Sequence, residues 1–298
     1  MRVFDLPEPD FRPLALAFSP DGRALAAWGS DGMYVLDALS GTVLEWLGAP
    51  GPVPHETLGV GFTADGRAVV AFRHALRPPV QVHPLDPGVT ARACPKDHGA
   101  AFEVGRSGAF VYLTHDSAGL FQIVRWNPLT GETERGAWGR GDLRVLAVSA
   151  DERWVAGARG SNVRVWGAGG PKPVARAARQ FKTANGAAVR ALALACDGAF
   201  AAFRGPAVWF GAVGDGKVWT IAGAADHPGR DLAFHPARPV LAYTAGQPEV
   251  IFYDVAARAA LKRFAWGVGQ LRAVCFSADG LRCAAAARGK IVVWDVDP

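Results

Sequence analysis

A short pattern returns seven times along this chain, 40 to 46 residues apart, and it restricts the possible folds more than any other feature. It reads FSPDGRALAA at 18–27, FTADGRAVVA at 62–71, VGRSGAFVYL at 104–113 and VSADERWVAG at 148–157. It continues as LACDGAFAAF at 194–203, FHPARPVLAY at 234–243 and FSADGLRCAA at 276–285. Each copy is an apolar run, a tight turn, a second apolar run, and a third run ending on an aromatic or other bulky residue. A period of this length built only from strand-sized runs predicts a ring of small sheets, one per copy. The expected fold is all-β: a single seven-bladed β-propeller of four-stranded antiparallel blades.

The repeat runs from end to end, so residues 1–298 form one expected domain although the length alone would suggest two. Blades are expected to start near residues 14, 58, 101, 144, 190, 231 and 272. The first strand of a copy is short and apolar, as at Leu14 to Phe18 or Arg272 to Phe276. It enters Asp21-Gly22, Asp65-Gly66, Asp197-Gly198 or Asp279-Gly280, where Gly accepts positive φ and Asp can bond the backbone two residues on. Second strands such as Val69–Phe72 and Cys283–Ala287 are apolar with little alternation, which suits strands covered on both faces. Third strands close on Leu36-Asp37, Trp126-Asn127, Trp166-Gly167, Tyr253-Asp254 and Trp294-Asp295.

FSPDG, a third strand ending YVLD or VVWD, and a following Ser-Gly-Thr or Thr-Gly-Glu turn make the chain resemble the WD40 repeat family over its whole length. The resemblance implies a seven-bladed propeller that assembles protein complexes. Two of the family's features are reduced. The Gly-His dipeptide before the first strand is missing, and the Asp between second and third strands survives mainly as Asp31 and Asp116. His55, His98 and His227 lie near the family's structural His and are read as its remnants. The last copy stops after its third strand, and Arg2–Leu6 is strand-like without a place. Strand 2–6 is therefore expected to join the last blade and close the ring, removing exposed edges.

No apolar run is long enough to span a bilayer, and MRVFDLPEPD lacks the layout of a secretory signal, so a cytoplasmic protein with no membrane partner is expected. Cys94, Cys196, Cys275 and Cys283 show neither C-x-x-C spacing nor a disulfide framework, and free thiols are expected. No H-E-x-x-H, nucleophile elbow, P-loop or dinucleotide fingerprint appears. The reading is no enzyme, no metal site and no cofactor.

Register alignment exposes a different constellation. Just after the second strand, four copies carry Arg73, Arg159, Arg204 and Arg288, and at the start of the first strand three carry Arg144, Arg190 and Arg272. In an antiparallel blade these two positions are neighbours at one end. Trp138 and Trp266 recur in A-W-G-x-G, read as a loop before the first strand, and Trp28 is read into the corresponding loop of the first copy. Clustered guanidiniums in a concave mouth focus positive potential and bind carboxylate or phosphate in bidentate fashion. Trp beside Arg is hot-spot chemistry.

The expected function is a non-catalytic interaction scaffold, binding an acidic or phosphorylated protein segment on this Arg/Trp face. A net charge of +5 over the chain leaves nucleic-acid binding as an alternative, and a hydrolase or lyase site in the channel mouth as another. The competing structural reading pairs each Arg with a local acid and makes each Trp a filler between blades.

Overall fold

The computed structural model describes residues 1–29, 31–48, 58–73, 80–90, 92, 94, 98–117, 120–141, 143–167, 179–182, 188–204, 207–211, 218–221, 231–244 and 248–296. Among them there is no helix, and hence none long and apolar enough to cross a membrane. The strands form seven antiparallel sheets, each built from consecutive chain segments.

Sheet I contains Pro13–Phe18, Ala24–Gly29, Gly32–Asp37 and Val43–Gly48. Sheet II contains Leu58–Phe62, Ala68–Arg73 and Val80–Pro84. Sheet III contains His98–Val104, Val111–Ser117, Leu120–Trp126 and Thr133–Arg140. Sheet IV contains Val145–Val148, Trp154–Arg159, Asn162–Gly167 and Arg179–Lys182. Sheet V contains Val189–Leu194, Phe200–Arg204, Ala207–Gly211 and Val218–Ile221. Sheet VI contains Leu232–Phe234, Val240–Thr244, Glu249–Asp254 and Ala259–Ala265. Sheet VII contains Ala273–Phe276, Arg282–Ala287, Lys290–Asp295 and, as its outer strand, Arg2–Asp5.

Six of the seven sheets have four strands, whereas seven four-stranded blades were expected. Sheet II has three among the described residues. The N-terminal segment pairs antiparallel with sheet VII, Arg2 opposite Val293 and Asp5 opposite Lys290.

The sheets are arranged as in a propeller. First strands pack on one another in the order I to VII, and that of sheet VII packs on that of sheet I. The core is not one mass but a set of clusters, each between neighbouring sheets. Trp28, Met33 and Val35 of sheet I meet Phe62 and Val69 of sheet II. Leu6, Leu25 and Tyr34 meet Ala284, Ile291 and Val293 of sheet VII in the same way. The bulky ends of third strands fill these spaces: Trp126, Trp166 and Phe210 are almost wholly buried. Each sheet is thus covered on both faces, which is why the second strands carry little polar alternation.

The turn between first and second strands is held by a hydroxyl as well as by the expected Asp. Ser19 Oγ donates to Asp21 Oδ1 (2.6 Å) and accepts from Ala24 N (2.9 Å). Thr63 with Asp65, Ser149 with Asp151 and Ser277 with Asp279 repeat the arrangement. Gly22, Gly66 and Gly280 take positive φ beside them, and in sheet IV Glu152 does so at φ 56°.

Candidate functional site

The backbone register decides which arginines share an end. In sheet IV, Arg144 N donates to Ala158 O (2.9 Å) and Arg159 stands opposite Asn162, so both flank one end of the second strand, and both are exposed. In sheet V, Val189 pairs with Arg204 and the register shifts before Ala191. Arg190 is the extra residue of that bulge, and it is exposed. In sheet VII, Arg272 N donates to Ala286 O (2.8 Å), and Arg288 follows the second strand. In sheet II, Arg73 ends the second strand opposite Leu58. All seven arginines therefore occupy the end of their sheets away from the Asp-Gly turns.

The end is not uniform in charge. The N-terminal segment carries Asp10 to Arg288 (2.6 Å) and Asp5 to Lys290, so local acids answer the cations of sheet VII. Sheets IV and V carry three exposed arginines, and Arg140 joins them from the outer strand of sheet III. Gly141, at φ 92°, makes room here: a Cβ at this position would overlap the Arg159 guanidinium. The second glycine of A-W-G-x-G thus shapes the surroundings of an arginine.

The tryptophans are placed differently from the expectation. Trp28 is 3% exposed, inside the cluster between sheets I and II, because its strand turns that side chain into the inter-sheet space. Trp138 lies within the outer strand of sheet III, opposite Gln122, and not in a loop. Trp266 is half-buried and packs on Phe264 and Trp294 between sheets VI and VII, as filler.

A second feature escaped the sequence reading. The first strands of all seven sheets surround a central cavity of about 280 Å³. At one register position facing it, the copies carry Ala17, Gly61, Ala147, Ala193, Ala233 and Cys275, but sheet III carries Glu103. Three residues on, Arg106 leaves the sheet III turn, and its Nη1 donates to Ser277 O of sheet VII (2.9 Å). Asp231, entering sheet VI, accepts from Leu232 N with Oδ1 and from Val274 N with Oδ2, both at 2.9 Å. That second bond ties sheet VI to sheet VII.

Burial dominates the electrostatics. It pushes the Glu103 carboxyl up to about 8, with Asp231 adding to the rise and Arg106 opposing it. It pushes Asp231 up to about 7 against the pull of its two backbone donors. Burial also raises the Cys275 and Cys283 thiols and holds His235 below the ordinary histidine value. All four cysteines are free. The signal for Glu103 was present as the one long residue in a column of small ones. Its neighbours across the cavity belong to distant copies, which a linear reading does not bring together.

No protein-family model matches the chain, and no curated protein matches it.

Proposed function

We propose that the protein is a non-catalytic interaction scaffold, a closed seven-bladed propeller of the WD40 type, whose arginine-bearing end receives an acidic or phosphorylated protein segment. The observation that carries this reading is the register of sheets IV and V, which sets Arg144, Arg159, Arg190 and Arg204 at one end. Three of them are exposed, and guanidiniums in such a group match carboxylate and phosphate oxygens in pairs. The seven-fold closure draws support from the pairing of Arg2–Asp5 with sheet VII and from the apolar cluster joining sheets VII and I. A cytoplasmic location accords with four free thiols. A non-enzymatic reading accords with the raised Cys275 and Cys283 thiols, which disfavour the thiolate a nucleophile needs.

The test is a peptide of alternating glutamate and phosphoserine, titrated by fluorescence anisotropy against wild type and the triple variant Arg144→Glu, Arg159→Glu, Arg190→Glu. Binding is expected to weaken by about a hundredfold, near 1 kcal/mol for each exposed ion pair lost, with the melting temperature unchanged. Equal binding by the variant overturns the proposal. So does a preference for a single-stranded oligonucleotide with a steep salt dependence, which would move the function to nucleic acid.

A further inference from the structure

Three charged groups share the central cavity, and they differ in what burial lets them do. Glu103 and Asp231 can discard their charge by taking a proton, and the structure drives both in that direction. Arg106 cannot, because a guanidinium stays protonated at any pH the fold survives. Its Nη1 is bonded to Ser277 O, and among the described residues no carboxylate pairs with it and no second acceptor meets its remaining N–H groups. Arg106 is half-buried at the cavity wall and keeps N–H groups beyond the Ser277 bond, so the guest this space favours, once Glu103 is neutral, is an anion.

We propose that the central cavity is a binding site for a small oxyanion, a carboxylate or phosphate group held on the Arg106 guanidinium. The walls suit such a guest. First strands pair only with second strands, so their other edges present unpaired backbone N–H groups to the cavity. Asp231 already shows how such a donor is used, since its carboxylate takes Val274 N. Small residues such as Ala17, Gly61 and Ala147 leave the room. A cavity of 280 Å³ accepts an oxyanion together with several waters of about 30 Å³ each.

The proton state of the walls regulates the site. Glu103, Asp231, His235, Cys196, Cys275 and Cys283 are the titratable groups around Arg106. Burial favours the neutral form of His235 and of the Cys275 and Cys283 thiols, so Glu103 and Asp231 are the carboxylates that change charge near neutrality. Protonated, Glu103 can donate to the guest. Ionised, both carboxylates repel it, and Glu103 compensates Arg106 itself. Anion binding therefore weakens as pH rises.

Isothermal titration with inorganic phosphate, and separately with acetate, at about pH 6 and about pH 8.5 tests this. At least one anion is expected to bind at the lower pH and to bind tenfold or more weakly at the higher. A phosphate-only response assigns a phosphoryl guest, and an acetate response a carboxylate. Arg106→Met is expected to abolish binding. Glu103→Gln, which removes one of the two carboxylates that ionise, is expected to recover part of the binding at the higher pH. No binding of either anion, or undiminished binding by Arg106→Met, overturns the proposal. Should Arg106→Met not fold, the wild-type pH dependence decides: equal affinity at both pH values overturns it.

Discussion

Single residues in this protein act through burial more than through pairing. Glu103 is the clearest case, because its folded-state value of about 8 lies above its unfolded one. A group raised in this way contributes its stability below the unfolded value, near 4.3, and loses it as pH climbs through about 8. Wild type should therefore melt progressively lower across that window. Glu103→Gln removes the titration. The variant should melt within a degree or two of wild type at about pH 5 and several degrees above it at about pH 8.5. Parallel melting curves for the two proteins would remove Glu103 from the account. His235 shows how geometry sets a proton position. Its Nδ1 accepts from Ala237 N and Arg238 N, both at 3.1 Å, so Nε2 carries the hydrogen and donates to Gly280 O at 3.1 Å. The Arg238 guanidinium near Nε2 is then a contact and not a hydrogen bond, since both groups are donors.

At the scale of the element, the recurring turn is a small hydrogen-bonded unit. Its Asp was legible from the sequence through the Asp-Gly dipeptide. The buried hydroxyl two residues earlier was not, although Ser19, Thr63, Ser149 and Ser277 recur in register. Its role depends on the chain folding back so that the backbone N–H five residues on reaches it, as Trp154 N reaches Ser149 Oγ at 3.0 Å. Ser149→Ala strands that N–H, while Asp151 Oδ1 keeps its bond from Arg153 N. A loss of about 1–3 kcal/mol follows, seen as a melting temperature lower by about 3–8 °C. Ser149→Thr keeps both bonds and should restore most of it. An alanine variant as stable as wild type would show the hydroxyl to be incidental.

At the scale of the molecule, stability is distributed between sheets rather than within them. Each apolar cluster draws on two neighbouring sheets, so a sheet on its own would expose both faces. The N-terminal segment matters beyond its length for this reason. It covers the third strand of sheet VII, sets Phe4 against Gly41 of sheet I, and puts Leu6 into the cluster between sheets VII and I. Deleting residues 1–6 leaves the edge of Lys290–Asp295 unpaired. The truncated protein should melt markedly lower and show a rising apparent mass with concentration in sedimentation. A truncated chain matching the full one in both respects would mean that the strand is ornamental.

The repeat by itself determined the all-β class, the inner strands with their turns, and the shared end of the arginines, because all of these follow from local alternation and register. It did not decide which side chains face one another. Trp28 reads as a mouth residue and lies in the core, while Arg288 reads as part of a binding cluster and meets Asp10 at the far end of the chain. Glu103, Arg106 and Asp231 look unrelated in line and share one cavity. The physical reason is the same in each case. Strand pairing is a neighbour relation that the sequence spells out, whereas contacts between and across sheets depend on how the sheets rotate about a common axis, and only the tertiary structure specifies that.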